Sequence, residues 1–314
     1  MRITVVGAGG LGGYFGGRWA EAGLDVAFLA RGAQLAALGA GDLRIASPLG
    51  DERVWVWAEG DAAAIGEADF VLLATKTWQL AEAVRGIGPL LGPATVVVGV
   101  QNGVEAAAEL AAAVGGERVL GGTCRILSYL ESPGQIRHVG VEPTLTFGER
   151  GGGASERGER IRVALARGRG MTVRLVDDIE SEIWKKFLFF APVSGIGAVS
   201  GAPVGVWRRI PAVRERLVAA MEEVRAVAAA HGVALAEELV AASLDFLDRL
   251  PIEGTSSLQR DIRDGRRTEL EALCGAVVRL GRAHGVPTPV HAALHAFLLP
   301  RELRAQGAVA WPEA

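Results

Sequence analysis

Lysine and asparagine are scarce in this chain, and the few that occur lie where they could do chemistry. Only three of the 33 basic residues are lysines, Lys76, Lys185 and Lys186, and Asn102 is the single asparagine. Lysine carries a compact ammonium that can release a proton, whereas the guanidinium of arginine stays charged. Lys186 lies in a run rich in Trp and Phe, and apolar surroundings make proton exchange of an amine feasible near neutrality. Lys186 is therefore a candidate acid catalyst.

A glycine-rich loop near the start of the chain has the pattern of a dinucleotide site. The pattern GxGxxG directly follows a short β-branched run, Arg2–Val6, and directly precedes a helical stretch. In that context the first glycine allows a tight turn, the second lets the backbone approach a pyrophosphate, and the third lets helix and strand pack closely. A purely structural turn is the alternative. The predicted cofactor-binding residues are Gly7, Ala8, Gly9, Gly10, Leu11 and Gly12.

The end of the second predicted strand bears on the choice of nicotinamide cofactor. A site for NAD usually has an acidic residue there, which holds the ribose hydroxyls. Here the strand ends at Ala30 and is followed by Arg31. A guanidinium pairs well with a 2′-phosphate, which a carboxylate would repel. Arg31 therefore favours NADP, with a solvated loop arginine as the alternative.

Lys76 and Asn102 follow two further apolar runs of strand length. Lys76 comes after Phe70–Ala74, and Asn102 comes after Thr95–Val100. The carboxyl ends of strands form the edge at which open α/β sheets bind their ligands. We expect both side chains to lie near the nicotinamide end of the cofactor.

The pattern of elements changes near residue 178. Up to residue 177, uninterrupted apolar runs alternate with helical stretches, which is typical of a parallel sheet covered on both faces. From residue 178 to 314 nearly every segment favours helix, including Ser181–Ala191 and Thr268–His284. The fold class is therefore α/β, with an N-terminal Rossmann-type doubly wound domain (1–177) and a C-terminal all-helical domain (178–314).

Composition excludes several other classes of protein. Half of the residues are apolar and the net charge is -3, so the chain is neither disordered nor a basic nucleic-acid binder. Residues 187–207 are an uncharged run of 21, but their glycines and prolines favour a buried helix and a turn over a membrane span. Two distant cysteines fit a reduced cytoplasmic protein. His291 and His295 have the i, i+4 spacing of zinc ligands, but without an HExxH motif we expect no metal.

Taken together, the motifs resemble those of the ketopantoate reductase (2-dehydropantoate 2-reductase) family, almost from end to end. The resemblance implies an NADPH enzyme of pantothenate synthesis that reduces 2-dehydropantoate to (R)-pantoate. It also implies that Lys186 is catalytic, and that Lys76 and Asn102 contact nicotinamide and substrate. Ser257 and Glu269 would hold substrate and cofactor. The motifs that carry the resemblance are Gly7–Gly12, Arg31, residues 75–79 (TKTWQ), 101–103 (QNG), 184–186 (WKK), 256–262 (SSLQRDI) and 268–269 (TE).

Two positions depart from the family's pattern. Family members usually carry asparagines one and two turns after the catalytic lysine, where this chain has Phe190 and Ser194. Ser194 can still hydrogen-bond a substrate, but Phe190 cannot. The alternatives are a reductase of another, less polar 2-keto acid and a non-catalytic NADP-binding redox sensor, which would not need Lys186. A homodimer is also left open.

Overall fold

The computed structural model describes residues 1–311, and contacts between residues divide the chain into two compact units. The first unit comprises residues 1–101 and 106–180, and the second comprises 102–105 together with the chain from residue 181 onward. The short segment 102–105 interrupts the first unit in sequence but packs with the second unit.

The first unit is built on a sheet of eight strands. All neighbouring strands are parallel except β8 and β11, which are antiparallel. The order across the sheet is β12-β11-β8-β7-β6-β1-β2-β5. The strands are β1 (Arg2–Val6), β2 (Asp25–Leu29), β5 (Trp57–Glu59), β6 (Ala68–Leu73), β7 (Leu91–Gly99), β8 (Val119–Arg125), β11 (Thr144–Glu149) and β12 (Thr172–Leu175).

Both faces of this sheet are buried, which explains the uninterrupted apolar runs. In β6, Phe70 and Leu72 join one hydrophobic cluster, and Val71 and Leu73 join another on the opposite face. The predicted α/β fold class is thereby confirmed. The helices of this unit are α1 (Gly10–Glu21), α2 (Gly32–Ala40), α3 (Ala62–Ile65), α4 (Leu80–Gly86), α5 (Ala106–Val114) and α6 (Glu156–Leu165), with 3₁₀ turns at Thr77–Gln79, Gly88–Leu90 and Gly116–Arg118.

A second, four-stranded sheet packs beside α1 in the same unit. Its strands, in the order β4-β3-β10-β9, are β3 (Asp42–Ala46), β4 (Glu52–Trp55), β9 (Ser128–Ser132) and β10 (Gln135–His138). β3 and β4 are antiparallel, whereas β10 pairs in parallel with β3. Close packing explains why residue 10 is a glycine: a Cβ atom at Gly10 would lie only 2.6 Å from the Cα atom of Tyr129 in β9.

Strand order reverses on either side of β1, and this creates the switch point where open α/β sheets bind ligands. β1 lies between β2 and β6, so the chain proceeds first to one side of β1 and later to the other. The glycine loop follows β1, and residues 74–76 follow β6. Both therefore lie at the carboxyl edge of the sheet.

The second unit is helical around a core of its own. Residues 187–207, the uncharged run, form most of α7 and all of α8, and no helix within residues 1–311 has the length and apolar character needed to cross a membrane. The helices are α7 (Ile179–Ser200), α8 (Val204–Trp207), α9 (Pro211–Ala230), α10 (Glu238–Arg249), α11 (Ser257–Arg263), α12 (Ala276–His284) and α13 (Pro289–Ala305), with a π-helix at Glu271–Gly275.

Two of the predicted helix boundaries are wrong. The helix predicted over Ser181–Ala191 continues through Pro192 as far as Ser200. The helix predicted over Thr268–His284 does not begin at Thr268, because that residue hydrogen-bonds a buried carboxylate through its N–H and its hydroxyl. The carboxylate belongs to Glu302, at 2.8 and 2.6 Å. Helical structure begins only with the π-helix.

Candidate active site

The glycine loop between β1 and α1 has the geometry that each of its glycines requires. Gly7 has a φ of +100°, and a Cβ atom there would be 3.0 Å from the backbone nitrogen of Thr75. Gly12 lies under the carbonyl oxygen of Gly7, where a Cβ atom would be only 2.0 Å away. At Gly9, by contrast, a Cβ atom would meet nothing within 4 Å. The backbone at Gly9 is therefore open to the close approach of a ligand.

The start of α1 fits a pyrophosphate. Gly9 is the N-cap residue and has no side chain to cap the helix, so the first N–H groups of α1 and the positive end of its dipole remain for an anion. The loop is held in place by Gln34, whose amide donates to the carbonyl of Ala8 (2.7 Å) and accepts from the N–H of Gly134 (2.9 Å). The loop is thus fixed before any ligand binds.

Arg31 caps the start of α2 directly after β2, at the position expected for a 2′-phosphate partner. Its guanidinium is 65% exposed and pairs with the carboxylate of Glu82 on α4 at 2.5 Å. An incoming phosphate would therefore share or displace this carboxylate. Glu82 could not be identified from the sequence, because a pairing over 51 residues leaves no local signal.

Lys76 lies in the turn after β6, where a glutamine side chain joins the ends of two strands. Gln101 donates to the carbonyls of Leu73 (3.1 Å) and Thr75 (3.3 Å) and so ties the end of β7 to that of β6. The ammonium of Lys76 lies 5.6 Å from the ring centroid of Trp78, within cation–π distance. Lys76 is thus a half-buried cation beside an aromatic surface at the carboxyl edge of the sheet.

Three of the predicted site residues form one hydrogen-bonded chain in the second unit. Nζ of Lys186 donates to Oδ1 of Asn102 at 3.2 Å. Nδ2 of Asn102 donates to Oε2 of Glu269 at 2.8 Å. Lys186 lies on α7, and Glu269 lies just before the π-helix, so residues far apart in sequence meet around a single amide.

The chain of hydrogen bonds fixes which way the amide of Asn102 points. A carboxylate can only accept hydrogen bonds and an ammonium can only donate them. The amide must therefore present its NH₂ to Glu269 and its oxygen to Lys186, because the reverse orientation would place like partners together. Glu269 thus holds Asn102, and Asn102 holds the ammonium of Lys186, which keeps its other N–H bonds for a ligand.

Phe190 and Ser194 lie one and two turns after Lys186 on α7. The Phe190 ring centroid is 5.6 Å from Nζ of Lys186, and the ring is half-buried. Ser194 is fully buried, and its hydroxyl has no hydrogen-bond partner within the described chain. Ser257 is half-buried at the first position of α11, whose N-cap is Ser256. The substrate-binding roles of Ser194 and Ser257 therefore stay predictions.

The segment 102–105, which carries Asn102, is held by contacts that the local sequence does not indicate. Gly103 has a φ of +106°, and a Cβ atom there would be 2.8 Å from the carbonyl oxygen of Ala272 in the π-helix. Arg279 on α12 donates to Glu105 at 2.6 Å and also contacts Glu271. The only available signal was the QNG sequence, which indicates a turn but not its partner.

His138, His291 and His295 each have a hydrogen-bond partner within the protein, so none of them needs a metal ion to explain its position. His138 bridges Ser47 and the carbonyl of Val141, and the buried His291 pairs with Glu223 at 2.7 Å. His295 contacts Glu271 instead. The two histidines with zinc-like spacing therefore face different carboxylates, and no group of three or more His, Cys, Asp or Glu within residues 1–311 could hold a metal ion.

Both cysteines are buried, one in each unit. Cys124 lies in the core of the first unit and Cys274 in that of the second. Burial raises the pKa of the Cys274 thiol to about 12. A thiol in this state is neutral and unreactive at neutral pH, so Cys274 is a packing residue.

Comparison with protein families and curated relatives shows what the chain is similar to. The family model described as ketopantoate reductase PanE/ApbA matches residues 3–152, and its C-terminal counterpart matches residues 178–302. An uncharacterised oxidoreductase of Bacillus subtilis, YkpB, is 32% identical over 95% of this chain and 98% of its own length. A 2-dehydropantoate 2-reductase of Mesorhizobium japonicum is also 32% identical, over 92% of this chain and 94% of its own.

A solved structure has a similar fold. The PanE/ApbA family ketopantoate reductase of Ralstonia eutropha superimposes with a TM-score of 0.89 at 30% sequence identity. The match covers 98% of this chain and all of the other one. The likeness therefore extends over both units and not only over the sheet that binds the dinucleotide in such folds.

Proposed function

This chain belongs to the ketopantoate reductase family, and on that premise we propose that it is an NADPH-dependent reductase of a 2-keto acid. The first candidate reaction is the reduction of 2-dehydropantoate to (R)-pantoate. Membership of the family makes the protein an oxidoreductase acting on a CH–OH group. The identity of the keto acid and the preference for NADPH over NADH are the parts that we propose.

The observation that carries the proposal is the chain Lys186–Asn102–Glu269. Reduction of a ketone builds negative charge on its oxygen, and that charge must be met by a proton or a cation. The ammonium of Lys186 provides both the proton and the positive charge, and it donates a hydrogen bond to the amide oxygen of Asn102 at 3.2 Å. A protein that only senses NADP has no use for an oriented ammonium, so this geometry favours a reductase over the redox sensor.

The cofactor, when bound at the glycine loop, supplies the hydride that adds to the carbonyl carbon. The residues of this chain bind the keto oxygen and supply its proton. Lys186 hydrogen-bonds the keto oxygen and transfers a proton to it as the hydride arrives, which gives the neutral alcohol. Asn102 and Glu269 keep the ammonium in place, and the amine of Lys186 then recovers its proton from water.

We propose NADPH rather than NADH because of Arg31. The residue after β2 is cationic, and a guanidinium can bind a 2′-phosphate through two parallel hydrogen bonds. Glu82 tempers this preference, because its carboxylate already occupies one side of the guanidinium. Lys76, at the same edge of the sheet, is proposed to contact nicotinamide and substrate.

A substrate panel tests the proposed reaction directly. Purified protein is mixed with NADPH and one of several 2-keto acids, 2-dehydropantoate first, and the loss of the reduced nicotinamide is followed by absorbance. We expect turnover with at least one 2-keto acid and a lower kcat/KM with NADH. Tight binding of NADPH without turnover on any member of the panel would instead support the redox sensor.

A further inference from the structure

The immediate surroundings of the Lys186 ammonium combine one polar and one apolar neighbour. Nζ lies 3.2 Å from the amide oxygen of Asn102, and the centroid of the Phe190 ring is 5.6 Å from Nζ. The ring is half-buried, so part of it remains free to contact a ligand. A ligand that binds Lys186 on the side of this ring therefore meets an aromatic surface.

Bond lengths fix how far the reacting carbon lies from the ammonium. A keto oxygen that takes a proton from Nζ lies about 2.8 Å from it, and the carbonyl carbon is about 1.2 Å further on. The carbonyl carbon of a 2-keto acid carries two substituents, the carboxylate and the remainder of the molecule. In a substrate bound on the side of Nζ that faces the ring, one of them is within van der Waals reach of Phe190.

The electrostatics of the ring decide which substituent this is. The face of an aromatic ring carries partial negative charge, which repels a carboxylate, and the ring has no group that hydrogen-bonds a hydroxyl. An alkyl group loses nothing against the ring and gains dispersion contacts. The substituent beside Phe190 is therefore the carbon chain, and apolar carbon is favoured there.

Ser194 does not restore a polar contact at this place. It follows Phe190 by one turn on the same face of α7, but its side chain is fully buried within the helical core. The surface that α7 offers beyond Lys186 is thus apolar.

Resting on the reductase function proposed above, we infer that Phe190 determines the substrate class. The substrate is a 2-keto acid whose C3 carries apolar groups, and a hydroxyl on that chain is not required. 2-Dehydropantoate meets the first condition through its two methyl groups, and its analogue without the hydroxyl, 3,3-dimethyl-2-oxobutanoate, should serve nearly as well.

The test compares these two substrates, with NADPH as the reductant. A site built to hydrogen-bond a substrate hydroxyl rejects the analogue lacking it by about 10⁴-fold or more, whereas an apolar site discriminates by about a hundredfold at most. We expect the two values of kcat/KM to lie within about a hundredfold of each other. A larger preference for 2-dehydropantoate would overturn the inference, because it requires a polar partner for the hydroxyl.

Variants assign the effect to Phe190. Phe190→Asn provides an amide beside Lys186 and should shift the ratio of kcat/KM towards 2-dehydropantoate by about tenfold or more, whereas Phe190→Leu should leave the ratio near that of the natural protein. Phe189→Asn is the matched control, because Phe189 is equally half-buried but packs on Phe246, with ring centroids 5.2 Å apart.

The outcomes separate this inference from the proposed function. If no 2-keto acid is reduced, the proposed function itself fails. If both substrates are reduced but Phe189→Asn shifts the ratio as much as Phe190→Asn does, the reductase stands and the role of Phe190 is wrong. Circular dichroism checks that each variant remains folded, and calorimetric titration with NADPH checks that it binds its cofactor.

Discussion

Lys186 is the residue on which the proposed chemistry depends. Lys186→Ala removes the proton donor, and general acid catalysis contributes about a hundredfold to ten-thousandfold to a rate. We expect kcat to fall by that order while NADPH affinity stays nearly unchanged, since the glycine loop belongs to the first unit. Single-turnover measurements by stopped flow check the chemical step.

The neighbouring lysine provides the control for this prediction. Lys185 is exposed and pairs with Glu182, three residues earlier on α7, at 2.9 Å. Lys185→Ala should therefore have little effect. Lys186→Arg should restore little activity, because a guanidinium does not release its proton at working pH. A severe loss at Lys185 with little at Lys186 would mean that the wrong lysine has been assigned.

Arg31 and Glu82 together set the expected cofactor preference. Arg31→Asp replaces a phosphate partner with a carboxylate, and the charge-assisted bonds at stake correspond to about a tenfold to a hundredfold loss of NADPH affinity. Glu82→Gln should act in the opposite direction, because it frees the guanidinium from its present partner. Titration calorimetry with NADPH and NADH measures both effects. An unchanged NADPH affinity in Arg31→Asp would rule out the assignment.

Composition identified Lys186 and Asn102 as candidate site residues, but it could not predict which groups they contact. Because lysine and asparagine are so rare here, Lys186 and Asn102 were conspicuous, and the structure shows them hydrogen-bonded to each other. Their contact spans 84 residues, so the sequence alone could predict the two groups but not the bond. The pairing of Arg31 with Glu82 could not be predicted from the sequence for the same reason.

Among the elements, segment 102–105 matters most, because it carries Asn102 against the π-helix. Gly103→Ala would place a Cβ atom 2.8 Å from the carbonyl oxygen of Ala272 and force the segment to shift. A displacement of about 1 Å in a positioning group can cost about a hundredfold in rate. We expect kcat to fall by tens of fold, with KM for the substrate less affected, in steady-state assays.

Strain at a positive φ could also follow from this substitution, and a second glycine controls for it. Gly232 has a φ of +92°, but a Cβ atom there would meet nothing within 4 Å. Gly232→Ala therefore carries the backbone strain without the displacement. If the two variants lose equal activity, the close approach of Gly103 to Ala272 is not what positions Asn102.

Element boundaries were predicted less well than element types. α7 runs through Pro192, although proline removes a backbone donor, and its later glycines allow other segments to come close. A Cβ atom at Gly195 would lie 2.9 Å from the sulfur of Cys274, and one at Gly197 would lie 3.0 Å from Gln259. Tertiary packing of this kind sustains a helix that local sequence would end.

At the scale of the molecule, the features that could be predicted from the sequence are those that depend on neighbouring residues. Parallel strands buried on both faces read as continuous apolar runs, so the main sheet was predictable. The joining of the four-stranded sheet was not, because it depends on the parallel pairing of Arg44 with Gln135, which lie far apart in sequence. β9 was missed altogether, since most of its side chains are exposed and give no apolar signal.

The two cysteines allow the units to be monitored separately in the intact protein. Both thiols are buried, so a thiol reagent should modify them only when the unit around them opens. Because burial raises the pKa of the Cys274 thiol from 9.0 to about 12, the folded state disfavours the thiolate. Above about pH 9 the unfolded chain loses this proton first, so stability contributed at Cys274 declines as pH rises towards 12.

Ligand binding should therefore change the labelling of the two thiols unequally. A ligand at about a hundred times its Kd stabilises the state that binds it by about 2.7 kcal/mol, which slows labelling through opening by about a hundredfold. If the glycine loop holds NADPH, the cofactor should protect Cys124, in the same unit, more than Cys274. Labelling rates of the variants Cys274→Ser and Cys124→Ser, each retaining one thiol, with and without NADPH, measure this at neutral pH. Greater protection of Cys274 than of Cys124 would contradict the assignment of the glycine loop as the main cofactor site.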